Sequence, residues 1–399
     1  MTRNVVTNAL AALQGLALLA GHRSTPTWLD DSTEVDPADI MATRSGLLVL
    51  PRIASGDCLL KPTAKYFSPN GVEYDYDPIA ECPNWLAFLG SLWPDDLESI
   101  QALQDWIGYL LSPDARLHKL LMLIGPPRSG KGTIGRVIKQ LIGENNLACP
   151  KLASFSGPFG LQPLLGKTAA LITDARLSGR SDAIAIVENL LSISGEDPQD
   201  VHRKNMPTLT GIRLPVRFTI FTNELPNLRD ASGALTSRVI LLRMTRTFLG
   251  REDKSLDAKL KLELPGILNW ALTGWYAVRD RGTLIQPESG RELLADLDDL
   301  ASPIKQFIRE CCIVGPEFSV RVSNLFETWT AWCKEHGREN VGTDGVFGKD
   351  LRSALPQVKR TQPRCGDLRV NHYEGIGIRA DDSGTGWHQC QSILRDAEF

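Results

Sequence analysis

The chain has too little net charge to act through its overall field. Over 399 residues the balance is -3, so any contact with nucleic acid must come from local basic clusters. Its 8 cysteines make no C-x-x-C pair and no zinc-like spacing, which excludes a disulfide scaffold or zinc knuckle and reads as reduced thiols. Long hydrophobic runs are missing too. The run from residue 9 to residue 20 is broken by Gln14 and is too short to span a bilayer, and no clean A-x-A-like cleavage site follows it. It reads as a packed helix, within Asn8 to Gly21, of a cytoplasmic protein with no membrane partner. No internal repeat and no low-complexity tract is present. A hydrophobic content of 42% and a charged content of 23% are those of a globular chain, long enough for two or three domains.

What is present centres on Leu120-Leu121-Met122-Leu123-Ile124-Gly125-Pro126-Pro127-Arg128-Ser129-Gly130-Lys131-Gly132-Thr133. An apolar strand ends at a glycine and a tight polar turn follows. Ile134, Val137, Ile138 and Leu141 then recur at helical spacing. Strand, glycine-rich loop and helix are what a phosphate-binding P-loop needs. Converging N–H groups and the helix dipole hold the anion, and Lys131 reaches the outer phosphates. In the usual motif a Ser or Thr directly follows the lysine to hold magnesium, whereas here Gly132 takes that place and Thr133 comes next. The same G-K-G-T ending occurs in adenylate-kinase-like enzymes, so the loop predicts nucleoside triphosphate binding without choosing the reaction.

Around the loop, the pattern predicts a mainly helical region over residues 1–115, with a strand within Gly46 to Arg52 and a helix from Trp85. A second helix is capped by Asp95 or Asp96 and stopped at Ser112-Pro113. From 116 to 285, strands Thr168–Thr173, Val216–Thr222 and Val239–Leu242 alternate with helix Ile184–Ser194. This is an α/β sheet with its site at the strand C-termini. Helices Leu256–Leu262 and Ile267–Val278 are split by Pro265-Gly266, and a linker follows from Arg281 to Gly290. Over 300–380, helices are followed by a small hairpin (Lys359–Thr361 and Val370–Tyr373), the pattern of a winged helix. In this part Ser323 is placed to cap helix Leu325–Glu335 and Gly337 to stop it. Residues 381–399 form a polar tail.

The polar strand ends are the candidates for chemistry. Asp174 can hold the magnesium hydration shell or orient the attacking water, and Thr133 is the candidate hydroxyl ligand. A single acid stands at that strand end, and Asp182 and Glu188 are candidates for a second. Asn223 can position the lytic water and sense the γ-phosphate. Arg238, entering a strand, can reach a neighbouring subunit's γ-phosphate. Between Asp174 and Asn223, the run His202-Arg203-Lys204-Asn205 before the turn at Thr210-Gly211 predicts a hairpin that offers cations to a phosphate backbone. Lys349, Arg352, Lys359, Arg360, Arg364 and Arg369 form a second basic cluster suited to duplex DNA, with a solvated charged face as the plain alternative.

This order of motifs, within about 115 residues, resembles the superfamily 3 helicases of the AAA+ class, and more specifically the helicase part of phage- and plasmid-type primase-helicases. GPPRSGKGT (125–133), ITDARLSG (172–179), LSISGEDPQDVHRK (191–204), FTNEL (221–225), DASGALTSR (230–238) and ELPGILNW (263–270) carry the resemblance. It implies a AAA+-type P-loop core with an N-terminal lead-in and a C-terminal winged helix. It implies a hexameric ring that hydrolyses ATP with Mg²⁺ between subunits and draws single-stranded DNA through its pore. Gly125, Pro126, Pro127, Arg128, Ser129, Gly130, Lys131, Gly132 and Thr133 would cradle the nucleotide. Asp174, Asn223 and Arg238 would match the metal and water carboxylate, the sensor and the finger, and Arg203 with Lys204 the pore hairpin. Relatives often carry a primase ahead of the helicase. No carboxylate constellation for one is found here, so a separate primase is a candidate partner. Two other readings stay open: a nucleotide kinase, and a DNA-binding initiator or loader that ATP assembles without unwinding.

Overall fold

The computed structural model describes residues 2–16, 25–30, 35–112, 114–175, 182–226, 228, 230, 232–338, 341–365 and 368–379. It divides into two compact units. One comprises residues 1–176, 192–224 and 240–290, and the other 177–191, 225–239 and 291–399.

The first unit is built on a five-stranded sheet of β1 (Leu120–Ile124), β2 (Leu147–Ala148), β3 (Ala169–Ile172), β4 (Arg217–Thr222) and β5 (Val239–Arg243). In space the order is β5-β1-β4-β3-β2, and the β1–β4, β3–β4 and β2–β3 pairings are parallel. Every residue of β1, β3 and β4 is buried, which is why β1 and β3 read as unbroken apolar runs, while in β4 the buried Arg217, Thr219 and Thr222 interrupt the apolar residues. The expected α/β sheet is therefore present. Its short edge strand β2 is an addition to the expected set.

Two helices, Leu97–Leu111 and Leu264–Arg281, pack together through glycines. A Cβ on Gly108 would stand 2.3 Å from the Trp275 nitrogen, and one on Gly274 would stand 2.3 Å from the Gln104 carbonyl oxygen. Trp106 ties the first helix to the sheet by donating its indole N–H to Thr219 Oγ1 of β4 at 2.9 Å. Asp96 provides the predicted cap, accepting the Ser99 N–H at 3.0 Å. The Leu264–Arg281 helix runs through Pro265 and Gly266, because proline sits in its first turn, where its missing N–H costs nothing. The expected break falls instead at Glu263, between it and helix Leu256–Leu262. The N-terminal helix Arg3–Leu16 corrects another expectation. It is exposed, not packed, with Leu13 61% accessible, since no described element covers its apolar face.

The second unit contains helix Pro303–Cys311, strand Cys312–Arg321, helices Val322–Glu335 and Asp344–Ala354, and strands Lys359–Thr361 and His372–Ile378. The last strand lies between the other two in an antiparallel sheet. Phe307, Leu325, Trp329, Trp332, Phe347, Leu351 and Tyr373 form its core. Arg321, and not Ser323, holds the cap position of helix Val322–Glu335, while Thr343 caps Asp344–Ala354 through its hydroxyl. No helix among the described residues is long and apolar enough to cross a membrane.

Candidate functional site

The loop after β1 is shaped by what presses on it. A Cβ on Gly125 would meet the Met244 carbonyl oxygen at 2.5 Å, because the chain leaving β5 runs against the loop, with Met244 N–H donating to the Ile124 carbonyl at 2.7 Å. Gly130 adopts φ +97 and packs within 2.9 Å of Leu92 at its Cβ direction, so both its conformation and its space exclude a side chain. Arg128 adopts φ +60, which lets the turn close. The same chain straps the loop down. Thr247 Oγ1 donates to the Pro127 carbonyl at 3.0 Å and the Phe248 N–H donates to the Arg128 carbonyl at 2.9 Å.

Helix Lys131–Ile142 starts from Gly130 with no side-chain cap, which leaves its positive end for an external anion. Lys131 folds over the loop. Its ammonium donates to the carbonyls of Gly125 at 2.6 Å and Pro126 at 2.9 Å and to Ser129 Oγ at 3.1 Å. Burial holds its pKa below the ordinary lysine value, a cost that an anion at this position would relieve.

Loop, helix Pro83–Leu92 and the 248–257 segment enclose a cavity of about 690 Å³. Pro127 to Thr133 line it along one wall. Asn223 joins them, because β4 lies beside β1 in register, Thr222 opposite Ile124, so the residue after β4 stands next to Gly125. Apolar surface comes from Phe88, Phe248 and Leu256. The lining carries five cations (Arg128, Lys131, Arg136, Arg251 and Lys254) against three carboxylates (Glu252, Asp253 and Asp257), an electropositive balance for a phosphate ligand.

Asp174 stands two residues beyond Ile172, which pairs with Ile220, so it lies at the level of Thr222 on the same sheet edge. It is exposed and is not among the residues lining the cavity. Thr133 does line it, but its Oγ1 already accepts a hydrogen bond from Arg136 Nη2 at 3.1 Å. Of the two predicted metal ligands, the cavity lining thus includes Thr133 and not Asp174. Of the two candidates for a second acid, Asp182 is spent on the start of the next helix, its Oδ1 accepting the N–H groups of Ile184 and Ala185 at 3.1 and 3.2 Å. Glu188 lies on that same helix, Ala183–Ser194, and is exposed.

The basic run forms a hairpin, Gln199–Arg203 against Met206–Ile212. Its turn is Lys204-Asn205, with Asn205 at φ +58, and not Thr210-Gly211, which falls within the irregular return strand. Lys204 is exposed at the tip, whereas Arg203 is half-buried and donates through Nε to the Pro207 carbonyl at 2.8 Å. Arg238 belongs to the second unit and ends the short helix Ala234–Arg238 instead of opening a strand, donating through Nη1 to the Leu191 carbonyl at 2.6 Å. In the C-terminal cluster Lys349, Arg352, Lys359, Arg360 and Arg369 are exposed, and the Arg364 side chain lies outside the described residues.

Sequence reasoning passes over Arg136, Asn84, Phe248 and the 251–257 segment. Arg136 has a signal, standing three places after Thr133 on one helix face. Asn84 has none. Its N–H and side-chain amide both donate to Glu263 Oε1, at 3.0 and 2.6 Å, from 179 residues away.

Residues 123–238 match the model of a family of unknown function, DUF5906. No curated protein shows significant sequence similarity to the chain. Among solved structures, the apo structure of the NrS-1 C terminal region (305–718) aligns with TM-score 0.52 at 13% identity, over 93% of this chain and 90% of that one. An A form apo structure of the same region gives 0.49 at 12% identity, over 94% and 91%. The first of these likenesses shows a shared fold.

Proposed function

We propose that this chain is an ATP-driven DNA helicase of the superfamily 3, AAA+ type, which assembles as a homo-oligomeric, hexameric ring and moves along single-stranded DNA in phage, prophage or plasmid replication. One observation carries the reading. Lys131 and Asn223 line a single electropositive cavity at the C-terminal edge of the parallel sheet, and the chain between β3 and β4 raises a hairpin with Lys204 at its tip. Both features grow from one sheet and are joined by β4: the hairpin leads into its start at Arg217, and Asn223 follows its end at Thr222.

In this reading the loop amides and Lys131 hold the β- and γ-phosphates and Asn223 orients the attacking water. Asp174 assists from the neighbouring strand end, and Arg238 completes the site of an adjacent subunit. Arg203 and Lys204 grip the strand. The order of elements in the second unit supports a winged helix, with Lys349 and Arg352 on helix Asp344–Ala354 facing duplex DNA. Magnesium is expected to accompany ATP. The Thr133 hydroxyl, which accepts from Arg136 and keeps a second lone pair, would be its candidate ligand. The site of action is the cytoplasm, with a separate primase as a candidate partner.

Purified chain is expected to hydrolyse ATP faster with single-stranded DNA present, and Lys131→Ala to abolish that turnover. No DNA stimulation, with Lys131→Ala indistinguishable from wild type, would overturn the proposal. The exposed Asp174 outside the cavity lining favours, as a second reading, a loader that ATP assembles. Nucleotide and duplex binding without turnover would select it.

A further inference from the structure

The geometry around Gly132 points to Arg136 as the residue that takes the place of a directly ligated cation at this phosphate site. This rests on the loop being a nucleotide site and goes beyond it. The sequence departs from the usual motif by placing glycine where the metal-binding hydroxyl stands, and the structure shows what fills that space. A Cβ on Gly132 would stand 3.4 Å from Arg136 Nη1, so the guanidinium lies across the face that a side chain there would cover. The other terminal nitrogen, Nη2, donates to Thr133 Oγ1 at 3.1 Å, engaging the next hydroxyl in line. The Nε faces Asp257 Oδ2 at 2.9 Å, and all four residues line the cavity beside Lys131.

These three contacts orient a planar cation at the entrance to the phosphate cradle. A guanidinium matches phosphate oxygens with two parallel donors, and its charge does not titrate away. A magnesium ion bound through Thr133 would share that oxygen with the Arg136 N–H and would stand close to a positive charge, which disfavours it. The pair with Asp257 is half-exposed on both sides, so exchanging the carboxylate for a phosphate oxygen costs little. Arg136 therefore contacts the outer phosphates directly, and triphosphate binding depends only weakly on magnesium.

The test is equilibrium binding of mant-ATP to the full chain, in excess magnesium and in excess EDTA. Wild type is expected to bind with affinities within about threefold of each other in the two buffers. Arg136→Ala should weaken binding in EDTA by about tenfold or more, the loss expected when a charge-assisted pair is removed. Circular dichroism confirms that each variant is folded. Wild-type binding that vanishes in EDTA while Arg136→Ala binds as wild type does in magnesium overturns the assignment. Lys131→Ala separates the two levels. If it binds mant-ATP as wild type does, the nucleotide site itself fails. If it loses binding while Arg136→Ala does not, only the role of Arg136 fails.

Discussion

Gly108 shows how exacting a steric demand on a single residue can be. Its missing Cβ lets the backbones of helices Leu97–Leu111 and Leu264–Arg281 meet, with Trp275 nitrogen at 2.3 Å and Ala271 oxygen at 2.5 Å from where a methyl would sit. Those neighbours are backbone atoms and cannot swing away. Gly108→Ala should therefore cost about 3 kcal/mol, seen as a lower urea midpoint. Gly90, in helix Pro83–Leu92, has nothing within 4 Å of its Cβ direction and serves as the control. Gly90→Ala should stabilise by about 0.5–1 kcal/mol. Equal effects at both sites would mean that the crossing of the two helices is looser than drawn. Residue by residue, the sequence points to Lys131 through its glycine-rich turn and to Asn223 only through its place in the order of strand ends, and both line the cavity. It hides what presses on Gly125, since Met244 arrives from more than a hundred residues away. It also hides where the Arg136 guanidinium turns, because rotamers are settled by neighbours and not by spacing.

Elements are legible where both flanks carry a stop signal and obscure where length is the only clue. Asp96 marks the start of its helix, and its carboxylate accepts from Ser99 N–H, from Ser99 Oγ at 2.6 Å and from Ser289 Oγ at 2.5 Å. Burial pushes that carboxyl up, but the hydrogen bonds from Ser289 and Ser99 outweigh it and hold the pKa below the unfolded value of 3.8. The sign follows from linkage. The folded state favours the ionised group, so its contribution is present above pH 3.8 and is lost as pH falls through the lower, folded value. Asp96→Ala should cost about 1 kcal/mol at pH 7, and its deficit against wild type in thermal melts should shrink below about pH 4. A deficit independent of pH would assign the effect to packing instead.

The two-residue strand β2 and the long strand Cys312–Arg321 are hidden in the sequence for opposite reasons. One is too short to show a period, and the other carries Gly315-Pro316 and a register shift between Val314 and Ser319. The hairpin is legible from its basic tip, and if it grips a DNA strand as proposed, that role is separable from nucleotide turnover. Lys204→Ala should weaken single-stranded DNA binding and lower the salt slope by about 0.7 for each phosphate it ceases to neutralise, while basal ATP turnover persists. A matching fall in basal turnover would make the hairpin structural.

For the whole molecule, the question is whether one chain suffices for turnover. Lys131 and Asn223 share a cavity inside one unit, whereas Arg238 ends a helix of the other unit and is bound there to the Leu191 carbonyl. A finger must leave such a contact to meet a γ-phosphate. Giving up the hydrogen bond to Leu191, about 1.5–3 kcal/mol for a charged donor, is a smaller term than the transition-state charge stabilisation an arginine finger supplies. If Arg238 serves a neighbour, Lys131→Ala and Arg238→Ala proteins are each inactive for different reasons, and a mixed ring contains boundaries where an intact lysine faces an intact arginine. Mixing the two should therefore restore a measurable fraction of DNA-stimulated ATPase, rising and then falling as the ratio is varied. Additive inactivity at every ratio, with co-assembly verified by light scattering, would confine Arg238 to its own chain, as a contact of the Leu191 carbonyl.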